Sequence, residues 1–121
     1  MTAAAMSGVP VDLLVSATTG TSAALAIPPS FTIHAFLVRT PSGVSAGAIT
    51  VEASNDPSDT NTWAAIVPDK SILNPLTVVA GADLLMPYTG RLNFVRARIN
   101  TTISGGTQAG TTVTYEGAKG Y

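Results

Sequence analysis

The chain has 121 residues, no cysteine, a formal net charge of −1 and only 11% charged side chains, against about 25% in an average soluble domain. A near-neutral chain without basic runs has no field to attract phosphates, so nucleic acid is not an expected partner. Its apolar stretches are cut by Gly81, Asp83 and Pro87 long before the roughly 18 residues of a membrane span, so a membrane is not expected either.

Residues 1–8 are Ala-rich and read as an extended N-terminal arm; residues 9–121 read as a single β-sandwich domain. The opening MTAAAMSGVPVDLLV has no basic n-region, and Asp12 interrupts its apolar run, which does not suit a signal peptide. With no cysteine to bridge, synthesis in a reducing cytoplasm is the expectation. Asn100-Thr101-Thr102 matches a glycosylation sequon, and without a leader it is read as chance.

Helix-forming residues are scarce, with two Glu and one Gln, and no segment keeps helical apolar spacing over three turns. Strands are expected at Val9–Ser16, Ser22–Ile27, Phe31–Arg39, Ala48–Ser54, Thr62–Val67, Leu76–Val79, Asp83–Pro87, Leu92–Asn100 and Thr111–Glu116. Turn clusters recur between them about every ten residues, the rhythm of an all-β antiparallel sandwich or barrel. In the fourth strand Ile49, Val51 and Ala53 share a face, with Thr50 and Glu52 opposite. In the eighth, Val95, Ala97 and Ile99 oppose Phe94, Arg96 and Arg98. If these strands are neighbours, Glu52 meets Arg96 or Arg98 on the outer side. The plainer reading is a solvated ion pair; because arginine is enriched at protein interfaces, these three are also candidates for a subunit contact.

Gly43-Val44-Ser45-Ala46-Gly47 spells G-x-S-x-G, the pattern of a nucleophile elbow. That elbow needs a helix after the serine and a histidine later in the chain. Here a strand follows, and the only histidine, His34, comes before Ser45. A turn is therefore the expected reading. His34 lies mid-strand in FTIHAFLV and is read as a satisfied polar neighbour, because zinc needs three or four ligands. Asn55-Asp56-Pro57-Ser58-Asp59-Thr60-Asn61 gathers oxygen donors that calcium favours. It lacks the calcium-loop spacing, however, and suits an Asx turn better. Trp63 reads as a core plug rather than a sugar platform. SGGTQAG precedes a strand and so is no phosphate loop. No catalytic, metal or cofactor site is expected, and the chain does not read as an enzyme.

Two stretches carry a further signal: AGAITVEASNDPSDTNTWAAIVPD and VAGADLLMPYTGRLNFVRARINTTISGGTQAGTTVTYEG. Together they give a Gly-led strand, Glu-Ala-Ser-Asn-Asp, Trp, RLNFVRARI, Ser-Gly-Gly and a closing Thr-Val-Thr-Tyr strand. This pattern, from about Phe31 to Gly117, resembles small β-sandwich proteins of tailed-bacteriophage virions, in particular capsid decoration (cement) proteins. The loop Asp56–Asn61 is longer than the short Ser-Asn-Asp-Gly turn of that pattern, and Val11–Ile27 falls outside the match. The resemblance implies a jelly-roll-like sandwich without catalysis. It further implies homotrimers on the capsid surface of the virion that bridge subunits of the phage major capsid protein. Thr2, Met6 and Val9 in and beside the arm, with Glu52, Arg96 and Arg98, are then the candidate interface residues. The alternative is a tail, neck or fibre module that binds host glycan through Trp63 or Tyr88.

Overall fold

In the computed structural model, residues 10–69, 72–105 and 110–119 are described. Nine strands occur among them: β1 (Val11–Ala17), β2 (Leu25–Ala26), β3 (Phe31–Arg39), β4 (Ala46–Ser54), β5 (Ala64–Ala65), β6 (Leu76–Thr77), β7 (Asp83–Thr89), β8 (Phe94–Ser104) and β9 (Thr111–Lys119). The only helical turn among the described residues is the 3-10 segment Thr60–Thr62. All pairings are antiparallel. A four-stranded sheet runs β1-β9-β3-β7, and a five-stranded sheet runs β2-β8-β4-β5, with β6 also paired to β4.

Alternation along β3 explains the layering. His34, Phe36 and Val38 are buried, while Ile33 and Arg39 face out, so every second side chain enters the space between the sheets. Two buried clusters fill that space. Leu14, Val38, Ile49, Ala97, Ile103 and Val113 form one; Phe36, Val51, Met86, Leu92, Val95 and Tyr115 form the other. The antiparallel sandwich expected from turn spacing is the fold.

Each expected strand has a counterpart, with systematic differences at the margins. Ser22–Ile27 shrinks to β2 and Thr62–Val67 to β5 because both lie along outer edges, where side chains and loops replace the ladder. Ser22 N–H donates to the Ala97 carbonyl at 2.8 Å, Ala97 N–H returns to Ser22 Oγ at 2.9 Å, and Ile99 and Ile103 N–H donate to Gly20 and Thr18 carbonyls at 2.9 Å. These contacts run along the outer edge of β8 and carry it to Ser104, four residues past its expected end, through two register shifts against β4. On the other side of β4, β5 pairs with Glu52 and Ala53 and β6 with Ala48 and Ile49. Val51 lies between the two pairings. The Asn74 carboxamide takes up that position: Val51 N–H donates to Asn74 Oδ1 at 3.0 Å, and Asn74 Nδ2 donates to the Val51 and Ile66 carbonyls, each at 2.9 Å. A side-chain amide thus stands in for a strand residue and leaves no buried peptide group of Val51 unpaired.

Candidate functional site

The outer face of the five-stranded sheet carries the ionic cluster suggested by the strand alternation. β4 and β8 are neighbours, with Glu52 directly opposite Arg96. Arg96 Nε donates to Glu52 Oε1 at 2.8 Å and Arg98 Nε to Glu52 Oε2 at 3.2 Å, so one carboxylate bridges both arginines. The Glu52 side chain is 10% exposed, that of Arg96 22% and that of Arg98 41%. The arginine stems therefore cover the carboxylate while the guanidinium heads still reach water. Two cations against one anion leave a local charge of +1. The polar face of β4 is consequently not a wet surface: Thr50, Glu52 and Ser54 are all buried.

Trp63 corrects a sequence expectation. It is half-buried, belongs to neither core cluster, and lies with its ring 4.2 Å from Arg96 Cζ. Its ring face is better used against a cation than in a core already filled by Phe36 and Met86. The loop before it is built to place it. Asp59 caps the 3-10 turn by accepting from Asn61 N–H at 2.9 Å. Asp56 accepts from Ser58 N–H at 3.1 Å and Ser58 Oγ at 2.6 Å. The Thr62 hydroxyl reaches the Asp56 and Asp59 carbonyls at 2.7 and 2.8 Å and also meets Ser54 Oγ. One carboxylate oxygen each of Asp56 and Asp59 is committed to these turns, Asn55 Oδ1 accepts from Asn93 instead, and no cluster of three or more metal-binding side chains occurs among the described residues.

Ser45 sits on an exposed turn entering β4, with its N–H donating to the Ser104 carbonyl at 2.7 Å and its hydroxyl to the same oxygen at 3.4 Å. The second glycine of the motif has a packing reason: Gly47 is buried with φ at +144°, and a Cβ there would collide with Ile103. Backbone geometry accounts for the motif. His34 is buried, and both ring nitrogens are engaged. Nε2 must donate to the Gly90 carbonyl (2.7 Å), because a carbonyl only accepts. Nδ1 therefore accepts from the Tyr115 hydroxyl, also at 2.7 Å. Burial lowers the His34 pKa below 6.5, an effect that the Gly90 hydrogen bond partly opposes. Burial also pushes the Tyr115 phenol up to about 12. This is a neutral pair that joins β3 to β9.

A second surface was not singled out from the sequence. On the outer face of the four-stranded sheet, Ala35 lies opposite Pro87 and Leu37 opposite Leu85, while Ile33 lies opposite Ala118. Ile33 and Leu85 are about half exposed. Arg39 opposite Asp83 closes one end of this strip, and the exposed Glu116 lies directly opposite Ala35, next to Ala118 along β9. Near Arg39, Arg39 Nη2 donates to Thr114 Oγ1 at 3.1 Å and Thr114 Oγ1 to Asp12 at 2.7 Å. The signal was present in FTIHAFLV, whose outward positions 33, 35 and 37 are as apolar as its inward ones. Thr2, Met6 and Val9 lie outside the described residues. The candidate interface residues within them are Glu52, Arg96 and Arg98, which the fold brings together.

No protein-family profile matches the sequence, and no curated protein matches it. Among solved structures, the chain is similar to the SPBc2 prophage-derived protein YomS. The TM-score is 0.59 and the identity 10%, and the likeness covers 92% of each chain. It shares a fold with a prophage protein. Two more distant likenesses are to the K1 cleaved adhesin domain of Lys-gingipain from Porphyromonas gingivalis W83 and to infectious bursal disease virus, Gx strain. The first has a TM-score of 0.44 and 12% identity over 93% of this chain and 73% of that one. The second has a TM-score of 0.39 and 14% identity over 93% of this chain and 34% of that one. Neither is close enough to establish a shared fold.

Proposed function

We propose that the chain is a structural protein of a tailed-phage virion, seated on the outside of the capsid, where it stabilises the shell by bridging major capsid protein subunits as a homotrimer. The observation that carries this reading is the strip of Ile33, Ala35, Leu37, Leu85, Pro87 and Ala118 on the outward side of a sheet. An open antiparallel sheet normally alternates apolar inside with polar outside, and a contiguous outward apolar strip marks an interaction surface. In a chain with only 11% charged residues, that surface suits a life packed against neighbours. The fold shared with a prophage-derived protein is consistent with a phage setting.

The Glu52–Arg96–Arg98 cluster, with its surplus positive charge and stacked Trp63, is a second contact point, suited to a carboxylate on the shell or on an adjoining copy. Fractionation of purified virions tests the placement: the protein is expected with heads, and recovery with tails alone overturns the capsid reading. Sedimentation velocity at micromolar concentration is expected to give a trimer; a monomer would count against self-association.

A further inference from the structure

One end of the sandwich opens into a cleft of about 460 Å³, within the range of small-molecule sites. The C-terminal ends of β4 and β7, the connection between β7 and β8 and the β5 segment meet there. Ile66 and Leu92 are buried at its base, Tyr88 forms a wall, and Asn55, Arg91 and Asn93 stand on the rim. The other side of the Tyr88 ring packs near His34, with centroids 6.0 Å apart.

The rim has a fixed polarity. Arg91 Nη2 lies 3.2 Å from Asn93 Oδ1. A guanidinium can only donate, so Asn93 must turn its carbonyl oxygen toward Arg91. The Asn93 amide nitrogen then faces the other way and donates to Asn55 Oδ1 at 2.6 Å. Asn55 in turn directs its own NH2 away from the chain of hydrogen bonds. The cation at one end thus orients two carboxamides in series. Arg91 Nη1 also donates to the Pro29 carbonyl at 3.3 Å. What remains for a ligand is then mainly donors: the Asn55 NH2, the second Asn93 N–H and the remaining guanidinium N–H groups of Arg91. The Tyr88 hydroxyl, with no partner among the described residues, adds a group that can donate or accept. No Asp or Glu lines the cleft.

We propose that this cleft binds a saccharide bearing a carboxylate. An acceptor-rich anion matches the donors and the Arg91 charge, while the C–H face of a sugar ring matches Tyr88, Ile66 and Leu92. A single acidic side chain from a protein partner would engage Arg91 but leave most of the volume unfilled, which is why a ring-bearing ligand is favoured. The binding activity is additional to the capsid role and stands or falls separately, because the apolar strip lies on the outer face of the four-stranded sheet and shares no residue that faces the cleft.

The test is NMR titration of the full chain with sialyllactose, trigalacturonate, lactose and an Asp-Glu hexapeptide. At least one of the two carboxylated saccharides is expected to shift the Asn55 and Asn93 side-chain amide signals, and to bind at least tenfold more tightly than lactose. Arg91→Ala and Asn55→Ala, both at exposed positions, are expected to stay folded by circular dichroism. Each should weaken that saccharide about tenfold or more, the loss of a charge-assisted or paired hydrogen bond. Failure of both carboxylated saccharides, equal affinity for lactose, undiminished binding by Arg91→Ala, or tighter binding of the acidic hexapeptide would each overturn the proposal.

Discussion

Replacing Asn74 by alanine tests how the edge of β4 is completed. The substitution removes three hydrogen bonds from a side chain outside any strand. Of the groups left behind, the Val51 carbonyl keeps the Ile66 N–H at 3.1 Å, whereas the Val51 N–H loses its partner. Val51 is fully buried, so water cannot easily replace the amide. An orphaned buried donor costs about 1–3 kcal/mol and each ordinary hydrogen bond about 1 kcal/mol, for an expected loss of about 2–4 kcal/mol. For a chain of this size that is a fall in Tm of about 10 °C. Urea and thermal unfolding followed by circular dichroism measure it. Asn74→Asp is expected to be at least as harmful, since it sets a carboxylate oxygen against the Val51 and Ile66 carbonyls. Asn100→Ala, at an exposed position of β8, serves as a control expected within about 0.5 kcal/mol of the parent. If Asn74→Ala matches that control, the carboxamide is not completing the sheet.

Glu52→Ala leaves two adjacent guanidinium groups without their shared anion. It should cost about 2–3 kcal/mol in urea unfolding, less than a fully buried pair because both arginines reach water, and should alter Trp63 fluorescence through the Arg96 stack. Gly47→Ala, which forces a Cβ into Ile103 at a positive φ, is expected to lose about 2 kcal/mol or more. Ser45→Ala in the same motif should change stability by no more than about 0.5 kcal/mol, and parent and variant alike should hydrolyse esters at the blank rate; hydrolysis by the parent that the variant loses would reopen the nucleophile reading. His34 binds its proton less readily folded than unfolded. Below pH 6.5 the unfolded chain therefore takes up a proton that the native state does not. Stability should fall as pH drops from 6.5 to the lower folded-state pKa, by at most about 1.4 kcal/mol per pH unit from this group. His34→Gln should flatten that part of the profile, and an unchanged profile would contradict the burial of a neutral imidazole.

The sequence made the sandwich readable because alternation and turn spacing are local signals. Ile49, Val51 and Ala53 against Thr50 and Glu52 specify which face of β4 turns inward, and the same reasoning anticipated the pairing of Glu52 with the β8 arginines. Three features were not local. Asn74 is 23 residues from Val51, and nothing in Leu73-Asn74-Pro75 announces a carboxamide serving as a strand. Trp63 reads as a core plug from the sequence alone, whereas Arg96, brought beside it only by the β4–β8 register, draws it to the outer face. The donor chain Arg91–Asn93–Asn55 joins a turn to the end of β4 across 38 residues, which periodicity does not show. The outward apolar strip was visible in FTIHAFLV in outline. Its extent appears only when Leu85 and Pro87 of β7 and Ala118 of β9 are set beside it.

The most direct measurement of the capsid assignment is cosedimentation of the purified chain with phage capsids lacking it, comparing the parent with Leu37→Glu/Leu85→Glu. Both substitutions point outward from the four-stranded sheet and should leave its circular dichroism unchanged. If the apolar strip is the docking surface, the parent pellets with capsids at a saturable ratio and the double variant stays in the supernatant. Equal pelleting of a folded double variant, or no pelleting of the parent, would contradict it.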